Sequence, residues 1–247
     1  MKEKGETRIL LLTDIHAPYH DKQALKLAIK FARKKEIDEV IVSELPDLYK
    51  VSSWLKNPDT MPFYQELEEV KQVARQIASA FPGKKFTYLS GNHEERITKY
   101  LWRHGEHLAG IDAFAPQALL GITELGWEWV DNKERLAKNQ PVLQRGELTF
   151  LHGHEIKMGW GAVNIAKIMY ERAGKNVIMG HFHRVQEWVV RKIDDKFSGC
   201  WSVGCLCDLH PEYNPHNNWI HGFAIIHLFE GGAFSVENRK IIEGKVL

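Results

Sequence analysis

Cysteine is scarce in this chain. Cys200, Cys205 and Cys207 are the only three in 247 residues. An odd number with no C-x-x-C pair excludes a disulfide framework and points to a reducing compartment. Also missing is any apolar stretch approaching the roughly 20 residues that span a bilayer, so no membrane partner is expected. The opening residues, Met1-Lys2-Glu3-Lys4-Gly5-Glu6, lack the apolar core of a secretory signal, and a cytoplasmic location is expected. Excess charge of one sign is absent too: Lys+Arg 33 against Asp+Glu 32 leaves a net +1. Such a surface has no strong overall electrostatic hold on nucleic acid, though a local basic strip is compatible with it. Internal repeats, low-complexity tracts and linker-like segments are lacking. The chain therefore reads as one domain over residues 1–247, with a helical and loop embellishment at about residues 100–140.

What remains is an ordinary globular composition, 44% hydrophobic and 26% charged, in a chain long enough to bury a sizeable core. Its outlier is 13 histidines. Histidine is the commonest protein ligand of transition metals, so their positions matter.

Apolar runs alternate with helical periodicity through the first half. Arg8 to Thr13 reads as a buried strand stopping at Asp14. Asp21 reads as the N-cap of a helix through Lys35, with Leu25, Ala28, Ile29 and Ala32 on one face. A second strand at Glu39–Val42, a helix from Pro62 to Ala80 and a third strand at Phe86–Leu89 follow, Pro82-Gly83 breaking the helix. Another helix is expected after Glu94, then loop-rich helical sequence to about Asn139. Strands are expected at Leu148–Leu151, Asn176–Met179, Val185–Val190, Phe223–Leu228 and Ala233–Glu237. The alternation predicts a parallel-rich α/β sheet, with antiparallel additions from about Val185 onward.

Polar residues gather just past the strand ends. Asp14-Ile15-His16 follows the first, Glu44 and Asp47 the second, Gly91-Asn92-His93-Glu94 the third. His152-Gly153-His154 and Gly180-His181-Phe182-His183 follow two later strands. Groups beyond the carboxyl ends of strands in an open α/β sheet share one crevice. Carboxylate, imidazole and one carboxamide together suit borderline and harder divalent metals such as Mn, Fe, Zn or Ni. The ligands are too many for one ion and about enough for two. Two ions roughly 3.5–4 Å apart polarise a phosphoryl oxygen and generate hydroxide at neutral pH, which phosphate-ester hydrolysis needs.

In order and spacing these pieces resemble the calcineurin-like metallophosphoesterase superfamily, whose pattern is D-x-H, G-D-x-x-D, G-N-H-[DE], a later H, then G-H-x-H. The resemblance spans about Arg8 to His183. The segments Tyr100-Leu101-Trp102-Arg103-His104 and Gly204-Cys205-Leu206-Cys207-Asp208-Leu209 resemble the phage and prophage branch, which would place the protein in a host cytoplasm. The resemblance implies two facing mixed β-sheets flanked by helices, a four-layer sandwich. It implies two divalent transition-metal ions, manganese first and iron, zinc or nickel as alternatives. Asp14, His16 and His183 would hold one, and Asn92, His152 and His181 the other, with Glu44 bridging. His93 would steady the phosphate and protonate the leaving oxygen. His152 is taken as the ligand because it comes first after its strand; His154, with Arg96, is assigned to the substrate.

The second motif departs from that pattern: Ser43-Glu44 stands where the family has Gly-Asp. Glutamate sets its carboxylate about 1.5 Å farther out, so bridging requires a shift of backbone or metal. Serine is awkward if that position needs positive φ. The expected activity is hydrolysis of a phosphate ester by a metal-bound hydroxide, by a phosphodiesterase or nuclease. The alternatives are a phosphomonoesterase or cyclic-nucleotide hydrolase, or a weakened member that binds without turnover. Arg96, Lys99 and Arg103 form either a basic strip for a polyanion or, the favoured reading, a solvated helix face. His210, His216 and His221 match no strong zinc spacing and read as a turn-rich loop near the site rim. Cys205 and Cys207 read as core and turn, and the tryptophans as mostly packing. Substrate identity and oligomeric state are not legible here.

Overall fold

The computed structural model describes residues 2–158 and 162–247. In chain order its first strands are β1 (Thr7–Thr13), β2 (Glu39–Ser43), β3 (Lys85–Leu89) and β4 (Glu128–Val130). The others are β5 (Gln144–Arg145), β6 (Leu148–Leu151), β7 (Val177–Met179), β8 (Gln186–Arg191), β9 (Phe197–Ser202), β10 (His221–Leu228), β11 (Phe234–Ile242) and β12 (Lys245–Val246). They form two mixed sheets. One has seven strands in the order β12-β11-β10-β1-β2-β3-β4, and the other has five in the order β5-β6-β7-β9-β8. Strands β1 to β4 run parallel, as do β6, β7 and β9. The α-helices are α1 (Lys22–Ala32), α2 (Phe63–Ala80), α3 (Glu95–His104), α4 (Pro116–Leu119), α5 (Asn132–Ala137) and α6 (Ile165–Ala173). Among the described residues no helix is long and apolar enough to cross a membrane.

Period-two alternation on β1 sorts its side chains between two cores. Leu10 and Leu12 face a core shared with Leu25 and Ala28 of α1 and Val70, Ala74 and Ile77 of α2. Ile9 and Leu11 face Leu148, Phe150 and Ile178 of the second sheet. Met169 of α6 covers that sheet's far side, against Val177 and Met179. The layers are thus helix, sheet, sheet, helix, the expected sandwich.

Local expectations hold with shifted ends. Asp21 caps α1, its carboxylate accepting the Ala24 N–H at 2.8 Å. The helix stops at Ala32, where the apolar stripe ends, and not at Lys35. The alternation Trp127-Glu128-Trp129 is indeed a strand edge, with Tyr88 and Trp129 stacked at 5.0 Å. Two substantial elements escaped the sequence. Strand β9 has a glycine and two serines inside it, which blur the alternation. Helix α6 starts from an Asn164 cap bonded to the Lys167 N–H.

Candidate metal centre

Each motif leaves a parallel strand at its carboxyl end. Asp14 follows β1, Glu44 β2, Asn92 the turn after β3, His152 β6 and His181 the turn after β7. Both sheets open these ends into one crevice. Asp14, His16, Glu44, His181 and His183 all take left-handed backbone, with φ of 53°, 52°, 49°, 68° and 57°. For non-glycine residues this costs about 1–2 kcal/mol each. The sharp reversal aims their side chains into the crevice. Serine at position 43 escapes that strain: it is the last residue of β2, and the left-handed residue is Glu44.

Four overlapping groups of donor atoms gather there; two centre on His16, one with His183 and Cys207 and one with Asp47 and His93, and the other two share Glu44. Asp14, His16, Glu44 and His183 form one, and Glu44, His152 and His181 the other, with Glu44 common to both. In the first, His16 Nε2 lies 3.2 Å from His183 Nε2 and 3.4 Å from Glu44 Oε2. Asp14 Oδ1 is 3.3 Å from His183 Nε2. In the second, Glu44 Oε2 is 3.2 Å from His152 Nε2. The same oxygen therefore faces both groups, while Oε1 accepts the His93 N–H at 2.9 Å. Glycine at 91 makes room for the longer side chain, because a Cβ there would meet Glu44 Oε1 at 2.6 Å.

The donor set fits divalent metals. Ligand atoms about 2.0–2.2 Å from one ion stand about 3.0–3.4 Å apart from each other, the spacing seen here. Asn92 Oδ1 is buried with no hydrogen-bond partner. Unpaired buried acceptors of this kind are costly unless something electropositive meets them.

Neighbouring groups fix these ligands. Both oxygens of Asp14 accept the His181 N–H, at 2.9 and 3.0 Å, and Thr13 Oγ1 donates to Oδ2 at 2.6 Å. Ser43 Oγ lies 3.2 Å from His152 Nδ1, which leaves Nε2 free to face Glu44. Behind His183, Cys207 Sγ is 3.7 Å from Nδ1. Glu94 braces the third motif, accepting the Gly91 N–H at 2.7 Å and the Tyr88 hydroxyl at 2.5 Å. Burial pushes the Glu94 carboxyl up to about 7.

Electrostatics follow from burial and crowding. Burial would raise the Asp14 and Glu44 carboxyls, but neighbouring imidazoles outweigh it: His183 for Asp14, His152 and His93 for Glu44. Both sit below their ordinary values. Burial pushes His16 and His181 down to about 4. It pushes His93 well down too. His16 and His181 are thereby neutral near pH 7, the form that binds metal. Against burial, Glu44 holds His152 up to about 9 and Cys205 with Asp14 holds His183 up to about 10, so these two release a proton when an ion takes its place.

Of the expected substrate residues, Arg96 stands beside His93, one guanidinium nitrogen 2.6 Å from His93 Nε2. The other donates to the Asp47 carbonyl at 2.6 Å. His154 turns to Glu95, its Nε2 3.1 Å from Oε1, and belongs to none of these donor groups. Lys99 is paired with Glu95 and Arg103 lies on the exposed face, so the helix face is solvated. Sequence reasoning missed three neighbours: Ser43, Cys207 and Trp219, whose ring lies 4.2 Å from that of His183. The Cys207 turn follows β9, which was itself unseen; Trp219 ends the turn-rich loop that the sequence placed near the site rim, but its ring was read as packing.

Fold and crevice together define a four-layer α/β sandwich with a buried His/Asp/Glu cluster able to bind metal. The solved structure of Vacuolar Protein Sorting 29 from Cryptosporidium parvum matches it with a TM-score of 0.50 and 13% identity, over 99% of this chain and 96% of that one. By sequence, the gene 54 protein of Mycobacterium phage L5 is 26% identical over 94% of this chain and 97% of its own. The gene 54 protein of Mycobacterium phage D29 is 22% identical over 72% and 69%. No protein-family model matches.

Proposed function

We propose that this chain is a dinuclear-metal phosphoesterase of the calcineurin-like superfamily, akin to its phage branch, and that it hydrolyses a phosphodiester, a nuclease being the first candidate. The observation that carries this is Glu44 Oε2, which faces His16 Nε2 at 3.4 Å and His152 Nε2 at 3.2 Å and so joins two donor groups. Asp14, His16 and His183 would hold one divalent ion and Asn92, His152 and His181 the other, with Glu44 shared between them, manganese being the first choice. Bound there, the pair supplies a nucleophile at neutral pH and screens phosphoryl charge. All of residues 1–247 serve this one domain, the segment at about 100–140 being an embellishment. The phage relatives favour a host cytoplasm.

The chain's own residues position the ester. His93, with Arg96 at Nε2 and His16 near Nδ1 (3.2 Å), steadies a phosphoryl oxygen, and the phosphoryl charge beside it raises its proton affinity so that it can protonate the leaving oxygen. Arg96 adds a fixed positive charge beside it, and His154 waits at the rim. That Glu44 reaches both donor groups favours turnover over binding without turnover.

Manganese-dependent hydrolysis of a chromogenic phosphodiester, a chromogenic monoester and single-stranded DNA, measured side by side, tests the reading. Asp14→Ala and His181→Ala are each expected to abolish turnover. Undiminished rates in both variants, or a protein that takes up no transition metal, would overturn it.

A further inference from the structure

Beyond the donor atoms, the loop from Asp208 to Trp219 forms one wall of the crevice. It is braced: Asn217 Nδ2 donates to the Leu209 and Asn214 carbonyls, both at 2.8 Å, and Asn217 Oδ1 accepts the Trp219 N–H at 2.9 Å. Asp208 is tied to the other side of the mouth, its N–H donating to the Tyr19 carbonyl at 2.8 Å. This wall presents two aromatic rings. Trp219 packs edge-on against His183 at 4.2 Å, and Tyr213 stands beyond it, 6.3 Å from the Trp219 ring.

Tyr213 is the telling residue. It is 79% exposed, so no packing requirement explains an aromatic ring there. From Trp219 the contacts run inward through His183 to His16, at 3.2 Å, and on to His93, again at 3.2 Å, which carries the Arg96 guanidinium. A water-exposed ring thus stands at one end of this row of side chains and a fixed guanidinium at the other. A ligand satisfying both sides carries an anionic phosphate for the centre and a flat apolar group for the wall.

We propose that Tyr213, backed by Trp219, is the base-stacking subsite of this centre, and that the substrate is a nucleoside phosphoester whose base lies on that wall. The inference rests on the phosphoesterase reading for its phosphate position, but it is tested by binding as well as by turnover. Aromatic stacking of a base changes affinity by about tenfold or more.

The test is calorimetric binding to the manganese-loaded protein, with thymidine 5′-monophosphate compared against inorganic phosphate. Wild type is expected to bind the nucleotide about tenfold more tightly or better. Tyr213→Ala should close that gap while leaving inorganic phosphate unchanged, and Tyr213→Phe should preserve it. In parallel, Tyr213→Ala should raise KM for thymidine 5′-(p-nitrophenyl phosphate) but not for methyl p-nitrophenyl phosphate, which has the same leaving group and no base. No gap in wild type, a gap that survives Tyr213→Ala, or equal weakening of both ligands would each overturn the subsite. Failure of every ester to turn over, with the calorimetric gap intact and sensitive to Tyr213, would remove the catalytic reading and leave the subsite standing.

Discussion

Serine 43 shows how far single residues can be read. In the sequence it looked like a defect, a side chain where the resembling family has glycine. In the fold it sits in ordinary strand geometry, and its hydroxyl reaches His152 Nδ1 at 3.2 Å. A partner on one imidazole nitrogen orients the other, and loss of such partners costs about 10–100-fold in metal affinity. Ser43→Ala is therefore expected to weaken the second equivalent of manganese by about tenfold or more and to leave the first unchanged, read by metal titration. A second equivalent bound by the variant as tightly as by wild type would show that the hydroxyl has no such role. The candidate ligands themselves were legible because each follows a strand end in a short motif. What surrounds them was not. Ser43 and Trp219 meet their histidines only through the packing of one sheet on the other, and Cys207 meets His183 through the pairing of β7 with β9.

Strands were legible where burial was two-sided or the alternation clean. All five residues of β2 are buried, and its run of valine and isoleucine announced it. β9 lies between β7 and β8, but Ser198, Gly199 and Ser202 hid it. A consequence belongs to the β1–β10–β11 ribbon at the end away from the crevice. There Arg8 and His227 are cross-strand partners. His227 lies between Glu6, at 2.6 Å, and Glu237, at 2.9 Å. The Arg8 hydrogen bond holds the Glu6 carboxyl well below its ordinary value. For Glu237, burial is outweighed by Arg239 and the carboxyl falls to about 2. Depressed folded values mean that their stabilisation is complete above the ordinary value of 4.5 and is lost as pH falls below it. Urea midpoints at pH 7, 4 and 3 should drop steeply in wild type and less steeply in Glu6→Gln. Parallel curves for the two proteins would exclude this cluster as the acid-sensitive one.

At the scale of the molecule, the alternation of strand and helix was enough to set the α/β class, whereas the two-sheet division came only with the family resemblance. The physical reason is that no local signal states which strands share a sheet. β7 pairs with β9 across β8, and β1 pairs with β10 from the far end of the chain. Chains ended before His221 are accordingly expected in the insoluble fraction on expression, and the full chain in the soluble one; soluble, cooperatively melting truncations would contradict that. The same pairing bears on biosynthesis. At about 5–20 residues per second, β1 leaves the ribosome about 10–40 s before the strand that covers its second edge. Through that interval the nascent chain carries an open, apolar strand edge. Its yield in a cell should therefore follow the supply of chaperones that shield such edges more closely than the final stability of the protein.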